Sequence, residues 1–95
     1  MPMASNLFIS YDLYNPGKDY AKVIEAIKAL GNWAKVHKSV WYVKSTLSCE
    51  QAAKKVWATM DANDSLIVID STTNNAYWYN LADEVSKHMQ DQWYK

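Results

Sequence analysis

Apolar and polar positions change rhythm several times along the chain, and each change marks an element. The stretch Asn6-Leu7-Phe8-Ile9-Ser10-Tyr11-Asp12-Leu13 is almost continuously apolar in its middle. That is the pattern of a strand covered by helices on one face and by something else on the other. Asn15-Pro16-Gly17 then turns the chain. Beyond it, Tyr20, Val23, Ile24, Ile27 and Leu30 recur at helical spacing and share one face, leaving Lys18, Lys22, Glu25 and Lys28 to solvent. Gly31 follows the last apolar position, where a left-handed helix stop is easiest for glycine.

Two short strands, 33–36 and 39–43, are predicted next, because Val40-Trp41-Tyr42-Val43 is rich in strand formers. His37-Lys38-Ser39 reads as a tight connection or a bulge, so a hairpin and one bent strand both stay open. Ser48-Cys49-Glu50-Gln51 is a capping-box pattern. The helix it opens is expected to run to about Asp61, with Ala52, Ala53, Val56, Trp57 and Met60 inward. Ala62-Asn63-Asp64 is turn chemistry, and residues 65–70 form the clearest strand of the chain. A polar loop, 71–75, follows. A last helix is expected after Asn80, which would cap it, with Leu81, Val85, Met89 and Trp93 as its apolar positions.

Strand, helix, strand, strand, helix, strand and a helical tail predict an α+β protein. The expected form is a ferredoxin-like βαββαβ sandwich with a four-stranded antiparallel sheet and an extra C-terminal helix. The 95 residues fit one domain, 1–95, with a core over about 6–70 and a C-terminal loop and helix over 71–95.

Composition sharpens this picture in three places. Five Trp and seven Tyr are more than a small interior can hold, so some are expected on the surface or at an interface. Ten basic residues, all Lys, balance ten acids, which gives general nucleic-acid binding no support from net charge. Without Arg there is no forked grip on phosphate, so such a contact would use Lys, backbone N–H groups or a metal ion. The lone cysteine, Cys49, excludes an internal disulfide; it lies beside a helix start but has no evident activating partner, and an inert thiol is expected. The N-terminus lacks a basic region followed by a long apolar run, and no apolar run is long enough to span a bilayer, so a cytoplasmic protein without membrane association is expected.

Strong chemical motifs are absent. There is no phosphate-binding glycine loop, no zinc spacing of Cys and His, no nucleophile elbow and no His-Glu-x-x-His helix. What remains is Asp12, at the carboxyl end of a strand that should be central. A carboxylate there must be solvated, hydrogen-bonded or bound to a cation. Mg²⁺ suits it, because that ion needs only one or two carboxylates and keeps most of its waters. Two chains whose Asp12 residues faced one another would share the ion across a dimer axis and activate a water. The alternative is that Asp12 caps the turn through Asn15 to Gly17.

The stretches Phe8-Ile9-Ser10-Tyr11-Asp12 and Val36-His37-Lys38-Ser39-Val40-Trp41, with a first helix closed by Gly31 between them, resemble the small CRISPR-associated endoribonuclease family that assists spacer acquisition. The related virulence-associated protein D toxins share its fold and early Asp. Asp64 to Ile69 is similar to the family's fourth strand. The resemblance covers roughly residues 6–70. It implies a ferredoxin-like fold, a homodimer, and either metal-dependent cleavage of RNA or DNA or a non-catalytic role holding nucleic acid. Asp12 matches the family's metal-binding Asp, and Lys38 and Ser39 match a lysine-serine pair near the dimer surface. Lys18, Lys22 and Lys28 stand where the family's first helix carries Arg.

Two functions follow as expectations. One is a dimeric Mg²⁺-dependent nuclease: Asp12 is its catalytic metal ligand, Lys35, Lys38 and Ser39 position phosphate, and His37 is a proton donor or an outer group. The other is a non-catalytic protein-interaction module on the same fold, suggested by Tyr77, Trp78, Tyr79, Trp93 and Tyr94. Against it stands the reading that these aromatics fasten the last helix to the sheet.

Overall fold

A computed structural model describes residues 4–15 and 20–95. Its elements are β1 (Ser5–Asp12), α1 (Ala21–Lys28), β2 (Asn32–His37), β3 (Val40–Ser45), α2 (Cys49–Trp57), β4 (Ser65–Asp70), β5 (Asn75–Tyr79) and α3 (Asp83–Gln92). The strands make one antiparallel sheet in the order β2-β3-β1-β4-β5. This is an α+β architecture with β1 at its centre. The sheet has five strands, which corrects the expectation of four.

The added strand, β5, lies inside the stretch expected to be loop. It pairs along β4 from Leu66↔Tyr79 to Asp70↔Asn75. Asn74 makes the reversal with a φ of 60°, a left-handed conformation that Asn tolerates better than most residues.

Alternation in β1 sets the two faces of the sheet. Leu7, Ile9 and Tyr11 are buried, and in register beside them lie Val43 and Trp41 of β3 and Val68 and Leu66 of β4. Val23, Ile27 and Leu30 from the α1 segment and Ala52, Ala53 and Val56 from α2 close over this face. All five helical positions expected to face inward from α1 do so, with Tyr20 and Ile24 partly buried at its margin. The capping box forms: Ser48 Oγ accepts from Gln51 N at 3.1 Å, and the Gln51 side chain accepts from Ser48 N at 3.0 Å. β2 and β3 form a hairpin, with an irregularity between Lys35 and His37.

Two local expectations change. Among the described residues no glycine has a positive φ, so Gly31 is not a left-handed stop. It is needed because a Cβ there would run into the carbonyl group of Lys44. The close approach is fixed by buried Ser45, whose hydroxyl donates to Leu30 O at 2.7 Å and accepts from Leu47 N at 3.1 Å. Asn80 is not the cap of α3, which starts from Ala82. Asn80 instead takes a φ of 59°, and its amide donates to Ala62 O and Asp64 O, pinning the end of β5 to the turn before β4.

Candidate functional site

The face of the sheet away from α1 and α2 is largely open. Asn6, Phe8, Ser10 and Asp12 of β1 point to it, flanked in register by Lys44, Tyr42 and Val40 of β3 and by Ile69, Ile67 and Ser65 of β4. Trp78 joins them from β5, opposite Ile67. Phe8 is 39% exposed and meets the ring of Tyr42 at 5.5 Å between centroids. The Tyr42 hydroxyl donates to Asn6 Oδ1 at 2.7 Å. An aromatic and aliphatic surface thus occupies the middle of the open face.

Asp12 stands at one end of that surface, exposed and opposite Ser65. It borders a shallow depression of about 220 Å³ shared with Ser10, Ser65, Ile67 and Leu81. No hydrogen bond or ion pair engages its carboxylate among the described residues. The turn-capping alternative therefore finds no support in them: Tyr14 N donates to Asp64 Oδ1 and Asn15 N to the Tyr20 hydroxyl. Pro16, Gly17 and Lys18 lie outside the described residues.

The β2–β3 turn arrives at the same end of the sheet. Tyr11 N donates to Ser39 O at 3.2 Å, the Tyr11 hydroxyl reaches Lys38 O at 3.5 Å, and Trp41 Nε1 donates to that hydroxyl at 3.3 Å. Asp12 thereby shares one end of the sheet with His37, which pairs with Val40, and with Lys38 and Ser39, although the Tyr11 hydroxyl meets Lys38 O on the helix-covered side. Lys35 is set apart. It is opposite Trp41 on the helix-covered side of the sheet, and its ammonium lies 5.6 Å from the Trp41 ring centroid.

Asp64 is the residue whose part was not visible in sequence. It is fully buried, and its carboxylate accepts from Tyr14 N at 2.8 Å, Asp61 N at 2.8 Å and the Tyr20 hydroxyl at 3.2 Å. One side chain thus ties the segment leaving Asp12 to the turn before β4. The Ala62-Asn63-Asp64 signal identified the turn, but nothing local indicated a bond to residues fifty positions away.

At the opposite end of the sheet Cys49 is buried. Burial, and next the charge of Asp70, push its thiol up from the ordinary value, and these outweigh the lowering by backbone N–H groups at the start of α2. The thiol is therefore held protonated, as expected of an inert cysteine.

Among the described residues, no three His, Cys, Asp or Glu side chains gather as a metal-holding group. Asp12 offers one exposed carboxylate, and Mg²⁺ held by so few protein ligands takes its other oxygens from water, a substrate phosphate or a second carboxylate. Among the described residues no helix is long and apolar enough to cross a membrane.

Family models, curated proteins and solved structures give no match to this chain.

Proposed function

We propose that this is a small homodimeric nucleic-acid-processing protein that uses Asp12 to bring Mg²⁺ to a phosphodiester. On this reading strands β1 to β4, in the order β2-β3-β1-β4, are a ferredoxin-like unit to which β5 and α3 are added. The observation that carries the proposal is the position of Asp12: an exposed carboxylate without a partner among the described residues, on the rim of an apolar face.

A second copy packed on that face would bring another Asp12 close by, giving the two carboxylates that a Mg²⁺ site uses. When bound, the ion supplies a water of lowered pKa and neutralises charge on the phosphate. Lys38 and the Ser39 hydroxyl, at the same end of the sheet, would hold phosphate oxygens, and His37 would pass a proton to the leaving group. Lys35 is left a supporting electrostatic part from the far side of the hairpin. RNA and DNA are both substrates under this proposal, and cytoplasm is the compartment it suits.

The test is cleavage of single-stranded RNA and duplex DNA with Mg²⁺ by the wild type and by Asp12→Ala. Activity lost in the variant supports the proposal, and equal background in both rejects it. The open apolar face itself favours a second reading, a non-catalytic module that binds protein through this surface. Wild-type protein that dimerises and neither cleaves nor retains nucleic acid would favour that reading.

A further inference from the structure

The last helix stands off the sheet. α3 buries no residue, and Val85 on it is 47% exposed, so side-chain hydrogen bonds hold it more than packing does. Trp78 Nε1 donates to Ser86 Oγ at 2.9 Å, Trp93 Nε1 to Asn74 O at 2.7 Å, and the Tyr94 hydroxyl to Asn75 Oδ1 at 2.9 Å. Between these struts lies a cavity of about 200 Å³, lined by Asn75, Ala76 and Trp78 of β5 and by Gln90, Trp93 and Tyr94 from the end of α3. The last three share one side of the helix because they are three and four positions apart.

Half of that lining is aromatic, and the bonds above tie down the polar edge of each ring, so the faces are what the rings have left to offer. The two indoles have centroids 6.5 Å apart and planes 53° from parallel. They do not form a sandwich. A flat ring laid on one of them turns its edge toward the other, and both contacts are favourable for aromatic groups. The Asn75 amide is engaged, donating to Thr73 Oγ1 at 3.0 Å and accepting from Tyr94. The Gln90 amide has no hydrogen-bond partner among the described residues, which leaves a donor and an acceptor side by side at the wall.

Size and charge narrow the ligand. A cavity of about 200 Å³ is smaller than the ~300–1,000 Å³ that drug-sized molecules occupy, so it takes one ring system and not a peptide segment. An organic cation would use the same ring faces, but no carboxylate lines the cavity to accompany it. A neutral heteroaromatic ring with a donor beside an acceptor on its edge suits both the faces and the amide, and nucleobases are that class. A neighbouring depression of about 320 Å³ shares Ala76, Trp78 and Gln90 with the cavity and gives an attached sugar a place to lie.

We propose that the cavity between β5 and α3 binds an unpaired nucleobase, stacked on one of the two indoles and hydrogen-bonded along its edge to the Gln90 amide. With no Arg in the chain and no Lys in the lining, the grip is on the base and not on a phosphate. This is a second site. Ala76 is opposite Ile69, four positions along β4 from the Ser65 that faces Asp12, and β5 is two strands from β1, a separation of roughly 15 Å. The inference rests on the preceding reading only for its source, in which the base belongs to a single strand that reaches Asp12. A free nucleoside presents the same ring.

The test is a titration of ¹⁵N-labelled protein with adenosine and with uridine, without Mg²⁺, following the five indole N–H signals by NMR. Those of Trp78 and Trp93 should shift and saturate with a dissociation constant on the order of 1–10 mM, as for one stacked base, while those of Trp33, Trp41 and Trp57 stay in place. Gln90 is exposed, and Gln90→Ala should raise the constant about threefold or more with an unchanged melting curve. Adenosine and its 5′-monophosphate should bind within about twofold of one another, with little change between ~50 and ~200 mM salt. A single-stranded hexamer of adenylate that binds about tenfold or more tighter than adenosine would identify the strand as the source, and equal constants the free nucleoside; both support the site. The site is overturned by Trp78 and Trp93 signals that do not move at ~20 mM nucleoside, by shifts spread over all five indoles, by Gln90→Ala binding as well as the wild type, or by tetramethylammonium shifting the pair where nucleosides do not. With no metal present, a failed titration removes this site alone, and absence of cleavage removes the Asp12 proposal alone.

Discussion

The indole of Trp57 lies flat on the ring of Tyr79, with centroids 4.7 Å apart and planes 2° from parallel. This stack joins the last turn of α2 to the end of β5, and Tyr77 adds an edge contact to Tyr79 at 5.6 Å. Two of the five late aromatics therefore pack inside the protein, against α2. Trp57→Ala should destabilise by about 3 kcal/mol, and a double-mutant cycle with Tyr79→Ala should show coupling of about 1 kcal/mol. Urea unfolding measures both, and purely additive losses would contradict the stack.

β5 explains how far the fold could be read from the sequence. β1, β4 and the capping box of α2 carry clear local patterns, and the structure forms them where expected. In β5, Tyr77 and Tyr79 face α2 while Trp78 between them faces the other side. Both faces are aromatic, so no polar alternation marks a strand, and the polar run before it reads as loop. Gly31 and Asn80 stand out in the sequence, but neither does what its local pattern predicts. Their tasks are set by chain segments distant in sequence, the carbonyl of Lys44 and the turn at Ala62 and Asp64. The site divides similarly. The strand pattern puts Asp12 at a strand end, and only the long-range bonds of Tyr11 show that Lys38 and Ser39 come to the same end of the sheet, whereas Lys35 lies on its helix-covered side.

Gly31→Ala should be strongly destabilising despite an ordinary helix-end setting. The new methyl must displace backbone of β3, not a flexible side chain, and a cost of about 2–3 kcal/mol is expected. A shift in the midpoint of chemical unfolding with unchanged slope would bear this out. A neutral or stabilising substitution would mean that the α1–β3 approach is looser than described.

Asp64→Ala leaves two backbone N–H groups and the Tyr20 hydroxyl without their acceptor, at a cost of about 3 kcal/mol. Asp64→Asn should rescue little, because both carboxylate oxygens accept and one would be replaced by a donor amide. Hydrogen exchange at the Tyr14 and Asp61 amides should accelerate in both variants. Unchanged exchange would place the support of this segment elsewhere.

Cys49 should react with iodoacetamide about tenfold or more slowly in the folded chain than in urea at mildly alkaline pH, since the nucleophile is the thiolate. Its pKa is raised on folding, so its contribution to stability is complete below the ordinary thiol value and is lost as pH rises through the raised one. Equal labelling rates would mean that the thiol is neither buried nor held protonated.

Placement of the Asp12 carboxylate at a two-fold axis is what the functional account stands on, and Mn²⁺ titration monitored by electron paramagnetic resonance addresses it directly. The account predicts one ion bound per two chains by the wild type and none by Asp12→Ala, with both proteins remaining dimers. Binding that survives the substitution, or a wild type that takes up no ion, would contradict it.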